Sequence, residues 1–148
     1  LYGGSGNFAF PIEKANIAKS IHSVELNQDA SFTGEKSAVQ SKSKVEFFCS
    51  DVATYLRNLG PIDKLGVLLD PPRQGCDELS LRLLMKNQPH KIVYVSCNPT
   101  TLVRDLEIRK KESVKLGLTY RLGPIIGFDM FPQTDHIEAM AILTRVPQ

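Results

Sequence analysis

One cysteine stands where a thiol can do chemistry. Cys97 ends the apolar run Val93-Tyr94-Val95-Ser96 and comes directly before Asn98-Pro99. That pair starts helices: Asn caps the first turn, and Pro at the first helical position gives up an N–H that has no partner there anyway. Unpaired N–H groups at a helix start favour an anion, so Cys97 is a candidate nucleophile, whereas a lone cysteine elsewhere is ordinarily a small buried hydrophobe. Cys49 and Cys76 lack that placement and read as structural. Three cysteines, far apart and without a C-x-x-C pair, argue against a disulfide framework or a zinc or iron–sulfur site within the chain, and they suit a reducing cytoplasm.

Two carboxylates fall at comparable places. In Leu68-Leu69-Asp70-Pro71-Pro72-Arg73, Asp70 closes a strand-like run, and two prolines then fix an extended backbone without amide donors. Such a segment can line a flat pocket in which Asp70 accepts from a base N–H, with Pro71 and Arg73 beside it; Asp-Pro alone reads equally as the turn that ends a strand. In His136-Ile137-Glu138, strand alternation puts His136 and Glu138 on one face. They are an imidazole and a carboxylate sharing a site, or a charge pair on an edge strand. His22 and His90 have no partner in the pattern and read as surface or strand-start residues.

At the other end of the chain, Gly4-Ser5-Gly6-Asn7-Phe8-Ala9 matches G-x-G-x-x-G/A, follows the short apolar pair Leu1-Tyr2, and precedes a helix-like stretch. Glycines there let the backbone approach a nucleotide closely, and Tyr2, Gly4, Gly6, Asn7 and Phe8 become candidate cofactor contacts. Glu25 ends the next strand about twenty residues on, where a carboxylate accepts from ribose hydroxyls. Asp51, after the following strand, is placed to accept from an adenine amino group or to cap a helix. A nicotinamide cofactor and S-adenosylmethionine both fit this pattern.

The elements that must position these groups follow from the apolar rhythm. A length of 148 residues allows one domain, residues 1–148, and 42% hydrophobic with 23% charged residues is a globular balance. The net charge of +2 is too small to argue for nucleic acid on electrostatic grounds. No apolar run approaches the roughly 18 residues of a membrane span, and no signal peptide is evident. Strands are expected over 20–26, 45–49, 65–70 and 91–96, helices over 10–19, 28–41, 52–59, 78–86 and 100–111, with Leu1 and Tyr2 as the tail of a truncated first strand. The Ser- and Lys-rich stretch 37–44 reads as a solvated helix end or loop. Residues 118–128 and 137–146 should form a closing antiparallel hairpin about a turn at 131–135. The fold class is therefore α/β, a mostly parallel sheet ending in an antiparallel hairpin. A dinucleotide fold would continue with a second parallel half; the antiparallel ending favours S-adenosylmethionine.

Taken together, LYGGSGNF, SVELN, LLDPPRQG, IVYVSCNPTTLVRDL and FDMFPQTDHIEAMAIL resemble the uracil-5 RNA methyltransferases, in order and across nearly the whole chain. The resemblance implies a class I, Rossmann-like methyltransferase domain, S-adenosylmethionine as cofactor, and a uridine of transfer or ribosomal RNA as substrate, flipped or single-stranded. It makes the positions of Cys97, Glu138 and Asp70 the nucleophile, the general base and the uracil-contacting carboxylate, with Asp70 also near the cofactor and His136 near the RNA. Gly3 and Ser5 stand where the family usually has Cys and Asn, changes a backbone-dependent turn should tolerate. Family enzymes also carry an upstream RNA-binding region, sometimes with an iron–sulfur cluster, which is expected to be missing before Leu1. Two rivals remain: an amino-group methyltransferase, which needs no thiol, and a non-catalytic nucleotide-binding domain.

Overall fold

Strands and helices alternate along the chain as the apolar rhythm predicts. The computed structural model describes residues 1–130, 132–134 and 137–147. Within them the chain divides into two units, Leu1–Tyr55 and Leu56–Gln148.

The first unit holds α1 (Ala9–Lys14), β1 (His22–Glu25), α2 (Gln28–Ser41) and β2 (Glu46–Cys49). β1 and β2 pair in parallel, from His22 opposite Glu46 to Glu25 opposite Cys49. Asn27 starts α2 by accepting the Ala30 N–H at 2.9 Å, and Lys42, left-handed at φ 55°, ends it. Two expectations need correction. Helix α1 stops at Lys14 rather than 19, because Asn16 turns left-handed at φ 52°, a conformation Asn tolerates. Leu1 and Tyr2 form no strand tail: Tyr2 has φ 58° and the glycine turn begins at once, while the Gly3 N–H reaches Val24 O of β1 at 2.8 Å.

Helix α3 (Val52–Asn58) leads into the second unit, which contains β3 (Gly66–Leu69), α4 (Glu78–Lys86), β4 (Lys91–Ser96), α5 (Pro99–Lys115), β5 (Tyr120–Leu122), β6 (Ile126–Phe128) and β7 (Glu138–Arg145). Its sheet runs β3-β4-β7-β5, with β6 also on β7. β3 and β4 are parallel and β7 is antiparallel to β4, β5 and β6, so the sheet is mixed and ends in the expected antiparallel arrangement. The first arm of the hairpin is broken in two. Leu122 pairs with Leu143 and Ile126 with Met140, which leaves one more residue on the first arm than on β7 between those pairs. Pro124 lies in that gap, and a residue without an N–H is tolerated in a ladder at such a bulge. Residues 132–134 are turn and bend as expected; the ends of the 131–135 turn lie outside the described residues.

Alternation sets the core of this unit. Val67 and Leu69 of β3, Ile92, Tyr94 and Ser96 of β4, and Ala139, Ala141 and Leu143 of β7 are all buried, on one face of the sheet. α5 packs on β4 and α4 on α5. Asp77 caps α4 through the Ser80 N–H at 2.8 Å, and Leu81, Leu84 and Met85 form its buried stripe. α5 opens with Asn98 as cap and Pro99 at its first position, as the sequence implies. Each fully buried aliphatic side chain contributes about 1.5–3 kcal/mol. Among the described residues no helix is long and apolar enough to cross a membrane.

Candidate active site

In the first unit the glycine turn and its acidic partner touch. Gly4 and Gly6 have φ of 52° and 99°, a region only glycine enters readily. A Cβ on Gly6 would lie 2.7 Å from the Phe10 ring, whereas one on Gly4 would meet nothing within 4 Å. Gly6 thus serves packing, and the turn is open to approach at Gly4. Glu25 closes the arrangement: Oε2 accepts the Gly4 N–H at 2.9 Å and Oε1 the Asn27 N–H at 2.8 Å. A carboxylate oxygen accepts twice, so each retains capacity for a ribose hydroxyl. Asn7 and Phe8 are exposed beside the turn and Tyr2 is half-buried. Asp51 accepts the Thr54 N–H at 2.8 Å and so caps α3; any adenine contact would be made from that capping position.

Two residues here differ from their sequence reading. Gly3 is more than a tolerated change, since a Cβ there would sit 2.2 Å from Ser23 Oγ. The serine occupies the space a side chain at position 3 would need. His22 does start β1, but it has partners: Nδ1 lies 2.5 Å from the Tyr55 hydroxyl and Nε2 3.7 Å from a Glu46 oxygen. Burial, and then the Glu46 charge, push the Tyr55 hydroxyl above its ordinary range.

In the second unit the sheet brings the three reactive candidates to one edge and one face. Asp70 follows buried Leu69, Cys97 follows buried Ser96, and Glu138 precedes buried Ala139. By alternation all three belong to the face opposite α5. Register agrees: Ser96 pairs with Ala139, so one step further sets Cys97 against Glu138, while Leu69 pairs with Tyr94 and sets Asp70 against Val95 on the adjacent strand. Each is half-buried. Cys97 has a free thiol. Burial pushes the Asp70 carboxyl above its ordinary value of 3.8, and the Glu138 charge pushes it further. Pro71 is buried and Arg73 exposed in the loop after Asp70. His136 lies outside the described residues, and its pairing with Glu138 with it. Among the described residues no group of three or more His, Cys, Asp and Glu is placed to hold a metal ion.

The sequence reading missed what holds the loop after Asp70. Asn98, which caps α5, and Thr101, Arg104 and Asp105 within it all reach the loop, and Tyr94 of β4 joins Asp105. Their spacing within a helix carried a signal for one shared face but none for what that face touches.

Residues 57–146 match the family model described as tRNA (Uracil-5-)-methyltransferase. The chain is 42% identical over 145 residues to an uncharacterized RNA methyltransferase of Bdellovibrio bacteriovorus, covering 97% of this chain and 36% of that protein. It is 42% identical over 146 residues to the 23S rRNA (uracil(1939)-C(5))-methyltransferase RlmD of Shewanella frigidimarina, covering 96% and 30%. The crystal structure of Pyrococcus abyssi tRNA (uracil-54, C5)-methyltransferase in complex with S-adenosyl-L-homocysteine superposes with a TM-score of 0.78 at 29% identity, covering 97% of this chain and 33% of that one. The chain thus spans about a third of the length of these relatives. With more than half of its residues matched by that family model, the chain belongs to the tRNA (uracil-5-)-methyltransferase family.

Proposed function

We propose that residues 1–148 form the catalytic domain of an enzyme that methylates carbon 5 of a uridine in transfer or ribosomal RNA. The observation that carries this reading is the convergence of Asp70, Cys97 and Glu138 on one face at one edge of the sheet. Carbon 5 of uracil is a poor nucleophile, and a thiol beside two carboxylates supplies what it lacks.

The Cys97 thiolate adds to carbon 6, forming an S–C bond and moving the ring double-bond pair onto the carbonyl oxygen, which makes carbon 5 nucleophilic. S-adenosylmethionine, when bound, would supply an electrophilic methyl group to which carbon 5 bonds as the methyl leaves the sulfonium, the bonding pair staying on sulfur. The residues fit that cofactor: the turn is open at Gly4, and Glu25, tied to it, can accept from ribose hydroxyls. Tyr2, Gly6, Asn7, Phe8 and Asp51 of the same unit would hold the rest of it. Glu138 then takes the proton from carbon 5; that C–H pair restores the ring double bond and expels the Cys97 thiolate. Asp70 accepts from the uracil N–H and so selects against cytosine, which has no donor there. Pro71 and Arg73 border the base, which must leave its stack to reach a strand-end site.

A tritium-release assay on RNA carrying carbon-5-labelled uridine tests this with the full-length protein. Release is expected from wild type and lost in Cys97→Ala. Methylation of an exocyclic amine that survives loss of Cys97 would replace this reading with an amino-group methyltransferase.

A further inference from the structure

We propose that Asp105 is a positioning residue for the reaction, tying the loop that follows Asp70 to the strand and helix that flank Cys97. Asp105 is 1% exposed, and burying a carboxylate is costly unless its bonds are made. They are made to three elements at once. Oδ2 accepts the Cys76 N–H at 2.7 Å from the loop and the Tyr94 hydroxyl at 2.5 Å from β4. Oδ1 takes Arg104 Nε at 2.8 Å and Nη2 at 2.7 Å from α5 itself. Burial, with the Cys76 thiol and Asp105 beside it, pushes the Tyr94 hydroxyl far above its ordinary range, so it stays a donor.

The clamp continues along the loop. Arg104 Nη2 donates to Gln74 O at 2.8 Å and Cys76 O at 3.3 Å. Thr101 Oγ1 and Asn98 Nδ2 each reach Arg73 O at 3.3 Å. Gly75, at φ 79°, lets the loop lie against the ion pair, where a Cβ would come within 2.5 Å of Arg104 Nη2 and 2.6 Å of Asp105 Oδ2. Asp105 is buried while its partner Arg104 is half exposed, and a buried charge is poor stabilisation compared with apolar packing, so stability alone does not account for it. What the bonds accomplish is a fixed separation. Asp70 stands at the head of the clamped loop, and Cys97 stands between the strand of Tyr94 and the helix of Asp105. As a role in catalysis this rests on the uridine-methylating reading above; as a mechanical link it does not.

Two readouts on the full-length protein test it. In tritium release from carbon-5-labelled RNA, Asp105→Asn and Arg104→Gln should lower kcat about 10–100-fold, the scale of a small misplacement of reacting groups, with KM for RNA and for S-adenosylmethionine held within about twofold. Thr101→Ser should behave as wild type and Thr101→Val as a weaker clamp variant. Hydrogen exchange at Gly75 and Cys76 should accelerate in Arg104→Gln while the interior of α5 is unchanged; Arg104 is half exposed, so this variant is expected to fold even where Asp105→Asn does not. Wild-type kcat in both variants, a rise in KM alone, or unchanged exchange at Gly75 and Cys76 overturns the proposal. Absence of tritium release from wild type would instead sink the uridine reading, with exchange still deciding whether the clamp exists.

Discussion

A methyl group added at Gly3 should destabilise the protein, and removing the Ser23 side chain should undo most of the damage. The added Cβ would lie 2.2 Å from Ser23 Oγ and 3.3 Å from Ser23 Cβ. Ser23 is 3% exposed, so its hydroxyl has little room to move, and Oγ has no hydrogen-bond partner among the described residues. Overpacking of this kind costs about 1–3 kcal/mol. Replacing Gly by Ala restricts the unfolded chain and returns about 0.4–1 kcal/mol where the backbone is compatible, so the expected net loss for Gly3→Ala is about 0–2.6 kcal/mol. Ser23→Gly removes the two nearest atoms the new Cβ meets and leaves Val24 N at 3.4 Å, an ordinary contact, at about 0.5–1 kcal/mol for a glycine in a strand. Urea unfolding of wild type, both single variants and the double variant gives the coupling energy, expected at about 1–3 kcal/mol in favour of the double variant. Zero coupling would refute the steric argument. Gly3→Cys, the residue usual at this place in the family the sequence resembles, should likewise be accepted only with Ser23→Gly.

Three further outcomes are expected. Glu25→Ala should weaken S-adenosylmethionine binding by roughly 1–3 kcal/mol through unpaired ribose hydroxyls and the released Gly4 N–H; equal affinity by calorimetry removes Glu25 from the site. Glu138→Gln should allow thiol addition and methyl transfer yet slow elimination by ~10²–10⁴, the worth of a positioned base, and accumulate a denaturant-resistant RNA–protein adduct that Cys97→Ala abolishes. Turnover of Glu138→Gln at the wild-type rate would move the base elsewhere. Asp70→Asn should be more stable than wild type at neutral pH. The folded Asp70 value is raised above 3.8, so its contribution is full below 3.8 and is lost as pH rises through the raised value, whereas Asn does not titrate. The stability difference should open across that window in urea midpoints taken at a series of pH values, and a difference independent of pH would contradict the assignment.

Much of the chain was legible because its signals are local. The bounds of α2, α4 and β4 follow from apolar periodicity and from Asn27, Asp77 and Asn98, whose side chains cap the next turn whatever surrounds them. Cys97, Asp70 and Glu138 could be placed because each lies next to a residue the alternation buries. What failed was non-local. The break of the last sheet's first arm depends on how β7 registers with two segments, and Pro124 alone did not say so. His22 acquired Tyr55 and Glu46 from beyond its own strand. Nothing local to Arg104 and Asp105 announces the loop they hold.

The reacting edge departs from the rules that the rest of the second unit obeys. Ser96 and Ala139 are small and buried where helix packing wants them, while their neighbours Cys97 and Glu138 stand on the other face with Asp70, half-buried. Desolvation and the Glu138 charge both work against an ionised Asp70. A bound group that donates an N–H to Asp70 reverses that balance, because it favours the ionised form, and by linkage ionisation of Asp70 favours the donor in turn. The strain is therefore relieved by a donor and retained by a ring that lacks one. A destabilised carboxylate on the face of Cys97 makes a poor element of structure and a selective acceptor, which under the proposed reading would favour uracil over cytosine.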